Sequence, residues 1–314
     1  MAAFPLPQHI THISAPDLAC DPDISDDELY ALFDVAADIK QGPRSYAHAL
    51  AGKYIALLFE KASLRTRLTF ELAIKQMGGD ALFTEGPIGV REPVKDVARN
   101  LDRWVQAIVA RTFAQGTIDE LARWSEVPVI NALSDLYHPC QILADMLTLR
   151  EHFGDFHGLK LAFVGDGNNV AHSLMLTTAR LGIDFAIAMP QGYEPHADIA
   201  AQASGLAAMS GSALLLTHDP AEAVAAAHAV YTDVWTSMGQ EAEAQQRKKV
   251  FAAYQVDDAL FAQARPDAVF MHCLPAHRDE EVTDSVIEHS RSVVFDQAEN
   301  RLHVQKALLY MMLG

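Results

Sequence analysis

The chain alternates short apolar runs with polar segments that repeat apolar residues at helical spacing. In its first half, apolar runs that predict buried strands lie at 54–59, 81–84, 107–110 and 127–131. Helical patterns lie around 65–77, 95–104 and 117–124, and a longer one begins at Pro139, a residue well suited to the first turn of a helix. Repeated strand–helix units predict a parallel sheet with helices on both faces.

The same alternation starts again in the second half. Strands are predicted at 161–164, 185–188, 213–216, 230–232 and 269–272, and helices at 171–181, 196–208 and 220–228. We therefore predict an α/β fold of two doubly wound domains, each a mostly parallel sheet flanked by helices. The predicted domains are residues 1–147 and 148–298. A last amphipathic helix within 299–314 could pack on either domain.

Two smaller features complete the pattern. The first 24 residues contain four prolines, which predict an irregular segment. Ser25 and Glu28 then have the spacing of a capping box, in which each side chain bonds the other residue's main chain, and the apolar residues that follow predict a helix.

Composition narrows the class of protein. The 314 residues suggest about two domains, and a hydrophobic content of 50% excludes wholesale disorder. The formal net charge is −17, which gives no general attraction to nucleic acid or to anionic membranes. An anionic ligand would therefore need positive charge gathered at one place.

Several common site types have no signature in the sequence. The three cysteines, Cys20, Cys140 and Cys273, are far apart and form no CxxC pair, so neither a disulfide framework nor a cysteine zinc site is indicated. There is no GxSxG, GxxxxGK[ST] or HExxH motif. No apolar run approaches the length of a membrane span, and the N-terminus lacks a signal-peptide pattern, so we expect a cytoplasmic protein with no metal.

The strongest chemical signal is the run Ser63-Leu64-Arg65-Thr66-Arg67, between a strand and a helix. Ser63 can cap the helix, whose first free N–H groups favour an anion, and two arginines and two hydroxyls add further donors. Cations are disfavoured at a helix N-terminus, so a solvated basic turn explains the two arginines less well. We interpret the run as a phosphate-binding site.

Further polar residues follow other strands of the same predicted sheet. Arg111 ends the third strand, and His138-Pro139-Cys140-Gln141 follows the fourth. Ligands of parallel sheets bind at the carboxyl ends of the strands, so these residues could converge with the phosphate site. A histidine before a proline-started helix can also be a structural cap.

The second half contains three candidate segments. Gly165-Asp166-Gly167-Asn168-Asn169 follows a strand, but it lacks the third glycine of a dinucleotide fingerprint, and no acidic residue ends the next strand to hold a ribose. Asp233, after another strand, could receive an ammonium group or simply cap a loop. Cys273 could be a nucleophile, although no Cys–His–Asn arrangement is visible and a buried, inert cysteine is commoner.

Taken together, these segments resemble the aspartate/ornithine transcarbamylase family, and within it the members that act on ornithine. The ordered matches from residue 54 to the C-terminus are Ser63–Arg67, Arg91–Arg99, His138–Gln141, Gly165–Asn169, Asp233–Gly239, His272–Pro275 and Glu299–Arg301.

The resemblance implies a role for each matching residue. Ser63, Leu64, Arg65, Thr66 and Arg67 would bind the phosphate of carbamoyl phosphate. The carbamoyl end would be held by Arg111, His138, Gln141 and Arg301, with Thr66 and the main chain at Cys273 and Leu274. In the second domain, Asn169 would bind the carboxylate of ornithine, and Asp233, Ser237 and Met238 its α-amino group. Arg111, His138, Cys273 and Thr66 would act directly in the reaction.

The resemblance also implies several properties of the whole enzyme. We expect transfer of the carbamoyl group to the δ-amine of L-ornithine, giving citrulline, with no cofactor and no metal. Leu274–Pro275 should be cis, the C-terminal helix should return to the first domain, and a homotrimer should place its active sites at subunit interfaces. Arginine biosynthesis is the expected pathway, although arginine breakdown would use the same site.

Other functions remain open from the sequence. A sister transcarbamylase would act on N-acylated ornithine, putrescine or aspartate. N-acylated ornithine would leave Asp233 unpaired, putrescine would leave Asn169 and Ser237 without a carboxylate, and aspartate would need cationic groups for its second carboxylate. An NAD-dependent dehydrogenase and a non-catalytic binding subunit are more distant alternatives.

Overall fold

The computed structural model describes residues 10–236 and 241–314. These residues form two compact units. The first unit comprises the described residues up to Leu143 together with Arg301–Gly314, and the second comprises Ala144–Asn300. No helix in the described ranges combines the length and the apolarity that crossing a bilayer requires.

The first unit is built on a four-stranded sheet. Its strands are β1 (Tyr54–Phe59), β2 (Asp80–Glu85), β3 (Ala107–Arg111) and β4 (Val129–Leu133). They lie in the order β2-β1-β3-β4, and all three pairings are parallel. β1 and β3 are almost entirely buried because helices cover both faces of the sheet, which explains their continuous apolar runs.

The helices of this unit connect and cover the strands. They are α1 (Asp26–Gln41), α2 (Leu64–Gln76), α3 (Val94–Leu101), α4 (Gln115–Trp124) and the start of α5 (Pro139–Phe153). The predicted strands and helices are confirmed, with ends shifted by up to three residues.

The second unit has a five-stranded sheet. Its strands are β5 (Lys160–Val164), β6 (Asp184–Ala188), β7 (Leu214–Thr217), β8 (Ala229–Thr232) and β9 (Val269–His272). Their order is β7-β6-β5-β8-β9, again with every pairing parallel.

The long helices of the second unit confirm the sequence pattern, but the short ones do not follow from it. The helices are α6 (Asn169–Arg180), α7 (Ala197–Ser210), α8 (Pro220–Val224), α9 (Ala244–Phe251), α10 (Asp258–Phe261), α11 (Asp284–Ile287) and α12 (Val294–Leu313). α8 is shorter than predicted, and α9, α10 and α11 were not predicted. One or two turns are too few to produce a helical repeat of apolar residues.

The end of α12 belongs to the first unit. The Ile13 N–H donates to the Met311 carbonyl at 3.0 Å, and the ring of Tyr310 meets Tyr46 edge-on with centroids 5.1 Å apart. Residues Arg301–Gly314 are accordingly grouped with the first unit.

Strand order identifies the edge where each unit can bind a ligand. In each sheet the order reverses at one place, between β1 and β3 in the first unit and between β5 and β8 in the second. At such a point successive connections leave toward opposite faces, which opens a crevice at the carboxyl ends of the two strands. The segments after these four strands contain several of the polar residues singled out in the sequence.

The capping box at the start of α1 is confirmed. Glu28 accepts hydrogen bonds from the N–H groups of Ser25 and Ser14, at 2.8 and 2.6 Å, and from the Ser25 hydroxyl at 2.7 Å. Burial alone would raise the pKa of Glu28, but these donors outweigh it and lower the pKa from 4.5 to about 2.

We predict that Glu28→Gln removes a pH-dependent part of the stability. Because the pKa is lower in the folded state, the stabilisation is present above pH 4.5 and is lost as the pH falls toward 2. The variant should lose about 3 kcal/mol in the free energy of unfolding at pH 7 and progressively less below pH 4.5. Urea titrations of both proteins between pH 7 and pH 3.5 would measure this; a pH-independent difference would contradict it.

Candidate functional site

The first unit gathers polar side chains at the N-terminus of α2. Ser63 caps the helix, and its hydroxyl accepts from the Thr66 N–H at 3.3 Å. Ser63 has extended backbone geometry, as a capping residue should, so the first turn begins directly at Leu64. The cap predicted from the sequence is therefore confirmed.

Arg301 links this helix start to α5. Its guanidinium is buried and donates to the Thr66 hydroxyl at 2.7 Å and to the Gln141 side-chain oxygen at 2.9 Å. Thr66, Gln141 and Arg301 are separated by up to 235 positions in sequence, and the fold brings them into direct contact. Their proximity agrees with a common ligand.

Arg111 and His138 lie at the same edge of the first sheet. Arg111 ends β3 and is buried, and His138 is buried immediately before α5. Burial, and then the charges of Arg301 and Arg111, lower the pKa of His138 well below 6.5. The imidazole is therefore neutral at physiological pH.

The two arginines of α2 differ in their surroundings. Arg67 forms an ion pair with Glu71 at 2.8 Å, and its guanidinium lies 3.6 Å from the centre of the Phe83 ring. The half-buried Arg65 has no ion pair with any residue that the structure describes. Arg65 therefore offers its charge to a ligand more readily than Arg67 does.

The second unit gathers its polar side chains around Asp233, directly after β8. One carboxylate oxygen of Asp233 accepts from the Cys273 thiol at 2.9 Å, and the other accepts from the Asn168 amide at 2.9 Å. Asn168 also caps α6 with its side-chain oxygen. These contacts hold a buried carboxylate at the carboxyl ends of β5, β8 and β9.

Asn169 is the first residue of α6, so it lies beside this cluster. Its side-chain oxygen accepts from the Val170 N–H at 3.0 Å, and the residue is mostly buried. Ser237 and Met238, the other residues expected to bind the amino acid, lie outside the described residues.

Gly167 argues against a dinucleotide at this turn. A Cβ on Gly167 would clash with the main chain of Glu194 and Pro195. The second glycine of a dinucleotide fingerprint is there so that a pyrophosphate can approach. Here the protein's own backbone fills that space, which disfavours the NAD alternative.

A buried ion pair supports the turn. Arg247 in α9 donates to the Asp166 carboxylate and to the Trp235 carbonyl, and it stacks over Tyr193. Burial raises the pKa of Asp166 to about 6, and the charge of Arg247 opposes this rise. Arg247 thereby joins the segment after β5 to the segment after β8.

His272, at the end of β9, is also in the cluster. Asp233, His272 and Cys273 offer a carboxylate, an imidazole and a thiol within 4.8 Å of one another, which is a possible ligand set for a metal ion. However, both ring nitrogens of His272 already bond to protein groups, Leu274 and Glu281. A metal could bind His272 only if one of these hydrogen bonds broke.

Two contributors to the second cluster were not predicted from the sequence. Arg247 lies in an unpredicted helix, and Glu281 lies in a loop. Asn168 lies in the segment Gly165–Asn169 that the sequence singled out, and its amide donates to Asp233. Nothing in the local sequence of Arg247 or Glu281 distinguishes them from surface residues, because their partners are distant in the chain. The cis bond at Leu274–Pro275 was expected and is confirmed.

Comparison with known proteins assigns both units. Residues 17–151 match the carbamoyl-P binding domain of aspartate/ornithine carbamoyltransferase, and residues 157–312 match the Asp/Orn binding domain. The chain belongs to the aspartate/ornithine carbamoyltransferase family. The family resemblance found in the sequence is therefore confirmed.

Members of this family named ornithine carbamoyltransferase are similar over almost the whole chain. The Bacillus subtilis protein is 50% identical over 302 residues, which cover 95% of this chain and 94% of that protein. The Pyrococcus furiosus protein, named anabolic, is 47% identical over 310 residues, which cover 97% of this chain and 98% of that protein.

Solved structures of the family agree with the fold. The ornithine carbamoyltransferase from Pyrococcus furiosus superposes with a TM-score of 0.93 at 47% identity, covering 96% of this chain and 97% of that one. The anabolic enzyme from Campylobacter jejuni gives 0.88 at 39% identity, covering 95% and 97%. The predicted two-sheet α/β architecture is thereby confirmed.

Proposed function

We propose that this protein transfers the carbamoyl group of carbamoyl phosphate to the δ-amine of L-ornithine, giving L-citrulline and phosphate. The main support for this proposal is a contrast in charge between the two units. Each has one polar cluster at the switch point of its sheet, cationic in the first unit and acidic in the second. A dianionic phosphate suits the first cluster, and an ammonium group suits the second.

Carbamoyl phosphate is assigned to the first unit. The N-terminal turn of α2 supplies main-chain donors, and Ser63, Arg65, Thr66 and Arg67 add hydroxyl and guanidinium donors for the phosphate oxygens. Arg111, neutral His138, Gln141 and Arg301 would surround the carbamoyl end. A protein of net charge −17 needs such a concentrated cationic site to attract this substrate.

Ornithine is assigned to the second unit. The carboxylate of Asp233 would pair with the α-ammonium group, and Asn169 would bind the α-carboxylate. Cys273 is hydrogen-bonded to Asp233 and would lie near the reacting δ-amine. Ser237 and Met238 keep their expected role in holding the α-amino group.

The reaction proposed for this arrangement is a direct transfer. The neutral δ-amine attacks the carbonyl carbon, a C–N bond forms, and the carbonyl oxygen becomes an oxyanion. Arg111, the Thr66 hydroxyl and a ring N–H of His138 would stabilise this oxyanion. Its collapse breaks the bond to the phosphate oxygen, and phosphate leaves on the arginines of α2 and removes the proton from nitrogen.

The acidic cluster favours ornithine over the other amines. Aspartate carries a second carboxylate, which Asp233 would repel. N-acylated ornithine has no α-ammonium group to pair with Asp233. Putrescine has no α-carboxylate, so Asn169 would lose its ligand. Arginine biosynthesis is the pathway that we assign, in agreement with the anabolic relatives.

We predict that substitutions in the two units affect different substrates. Arg65→Ala removes a charge-assisted donor to phosphate, so it should raise the KM for carbamoyl phosphate about 10- to 100-fold. Asp233→Asn should raise the KM for ornithine by a similar factor. Steady-state citrulline formation, with each substrate varied in turn, measures both constants.

Arg103→Ala is the matched control, because Arg103 is an exposed arginine of the same unit as Arg65. It should leave both constants near those of the wild type. If Arg65→Ala raised only the KM for ornithine, or Asp233→Asn only that for carbamoyl phosphate, the assignment of the substrates to the units would be wrong.

We also propose that the protein assembles as a homotrimer through the first unit. Leu64, Leu68 and Leu72 lie on one face of α2 at a spacing of four, and their exposed fractions are 71%, 45% and 44%. Leu82 is also exposed, on the edge strand β2. An apolar stripe beside a sheet edge is typical of a surface that another chain covers.

We predict that the double substitution Leu68→Glu and Leu72→Glu converts the trimer to monomers and abolishes citrulline formation. Introducing two carboxylates into an apolar interface leaves buried charges without partners. Sedimentation velocity would report the change. Met209→Glu, at an exposed apolar residue of the second unit, is the control and should remain trimeric. A wild-type protein that sediments as a monomer would overturn the proposal.

A further inference from the structure

His272 is a fully buried histidine whose two ring nitrogens have different partners. Nδ1 accepts a hydrogen bond from the Leu274 main-chain N–H at 2.8 Å. Nε2 lies 3.2 Å from a side-chain oxygen of Glu281, which is also fully buried. The same Glu281 oxygen accepts from the His277 N–H.

These contacts define the tautomer. The Leu274 N–H can only donate, so Nδ1 must be unprotonated and act as acceptor. The ring proton is then on Nε2, where it points to Glu281. Glu281 therefore selects the tautomer that can hold the Leu274 amide, in the same way that a carboxylate orients a catalytic or metal-binding imidazole.

The bond from His272 to Leu274 spans Cys273. Leu274 has a φ of +56°, a left-handed conformation that costs a leucine energy and persists only where neighbouring contacts impose it. The imidazole is one such contact. With the residues on both sides of Cys273 fixed, the thiol is held 2.9 Å from the Asp233 carboxylate.

The main chain of His272 is anchored as well. Its N–H donates to the Gln297 side-chain oxygen at 2.9 Å, and the Gln297 amide donates to Asp145 at 2.9 Å. The Tyr231 hydroxyl donates to the other oxygen of Asp145 at 3.0 Å. This buried network restricts the movement of the imidazole. A side chain that positions other groups must itself be held in place.

We propose that His272 is a positioning residue, which fixes the main chain at Cys273–Leu274 through its Nδ1 while Glu281 keeps the required tautomer. The inference rests on the proposed function, because this main chain and the Cys273 thiol are assigned to the reacting groups. His272 itself touches no substrate. Its contribution is to the alignment of the amine and the carbonyl, and so to kcat.

Two substitutions separate the roles of the two nitrogens. The side-chain oxygen of asparagine can take the place of Nδ1, so His272→Asn keeps an acceptor for Leu274 and loses the bond to Glu281. The side-chain amide of glutamine reaches the position of Nε2, so His272→Gln keeps a donor to Glu281 and leaves the Leu274 N–H without its acceptor.

If His272 is a positioning residue, the two variants should rank in opposite orders for activity and for stability. His272→Gln should lower kcat about 100-fold, as expected for misplaced reacting groups, while His272→Asn stays close to the wild type. In thermal unfolding, His272→Asn should be the less stable variant, because a buried carboxyl loses a donor. If activity followed stability, with His272→Gln as active as His272→Asn or more so, His272 would be only a core residue and the proposal would be wrong.

A second readout does not depend on catalysis. The rate of Cys273 alkylation by iodoacetamide, followed by peptide mass spectrometry, should change in His272→Gln and stay near the wild-type rate in His272→Asn. Equal rates in all three proteins would contradict positioning. If the wild type formed no citrulline, the proposed function would fail, and these alkylation rates would still decide the role of His272.

If neither His272 variant folds, Glu281→Gln can be tested instead. Its side-chain oxygen can still accept from Nε2, so the imidazole keeps its bond to Leu274, and kcat should remain near that of the wild type. A loss of kcat comparable to that expected for His272→Gln would show that the reaction depends on Glu281 rather than on the bond to Leu274, and would overturn the proposal.

Discussion

In a parallel sheet every strand ends at the same edge, and the reversal of strand order leaves one crevice at that edge. This constraint determines where chemistry can occur in each unit of the protein. The polar residues after β1 and β3 lie at the reversal of the first sheet, and those after β5 and β8 lie at the reversal of the second. The rest of the sheet surface is covered by helices and supplies stability.

The two crevices differ in how they stabilise their charges. In the first unit, Arg301 bonds Thr66 and Gln141, and burial keeps His138 neutral so that it adds no further positive charge. In the second unit, a thiol and an amide donate to Asp233. In each unit neutral hydrogen-bonding groups contact the buried charge. Thr66 and Gln141 contact Arg301, and the Cys273 thiol and the Asn168 amide contact Asp233.

Much of the fold was predictable because its signals are local. A buried strand such as β1 is a continuous apolar run, and a helix start such as Ser63 is a capping residue before a helical repeat. Most residues of the first cluster could be named for the same reason, since they follow a strand or lie in the first turn of a helix. Arg301 lies inside α12 and could be named only from the family resemblance. Their mutual contacts could not, because Thr66 and Arg301 meet only through the folded chain.

The unpredicted features depend on distant contacts. Arg247 looks like one basic residue in a polar helix, yet it is buried against Asp166, which precedes it by 81 positions. Glu281 looks like a loop carboxylate, yet it fixes the tautomer of His272. In both cases the role of the residue depends on its burial. Burial at these positions results from tertiary packing rather than from local sequence.

In the proposed function, the acidic cluster of the second unit selects L-ornithine for carbamoyl transfer. The most direct test is steady-state formation of the ureido product from carbamoyl phosphate, with ornithine, N-acetylornithine, putrescine and aspartate compared side by side. We expect a strong preference in kcat/KM for ornithine. A preference for any of the other three amines, or no turnover with any of the four, would contradict this role of the acidic cluster.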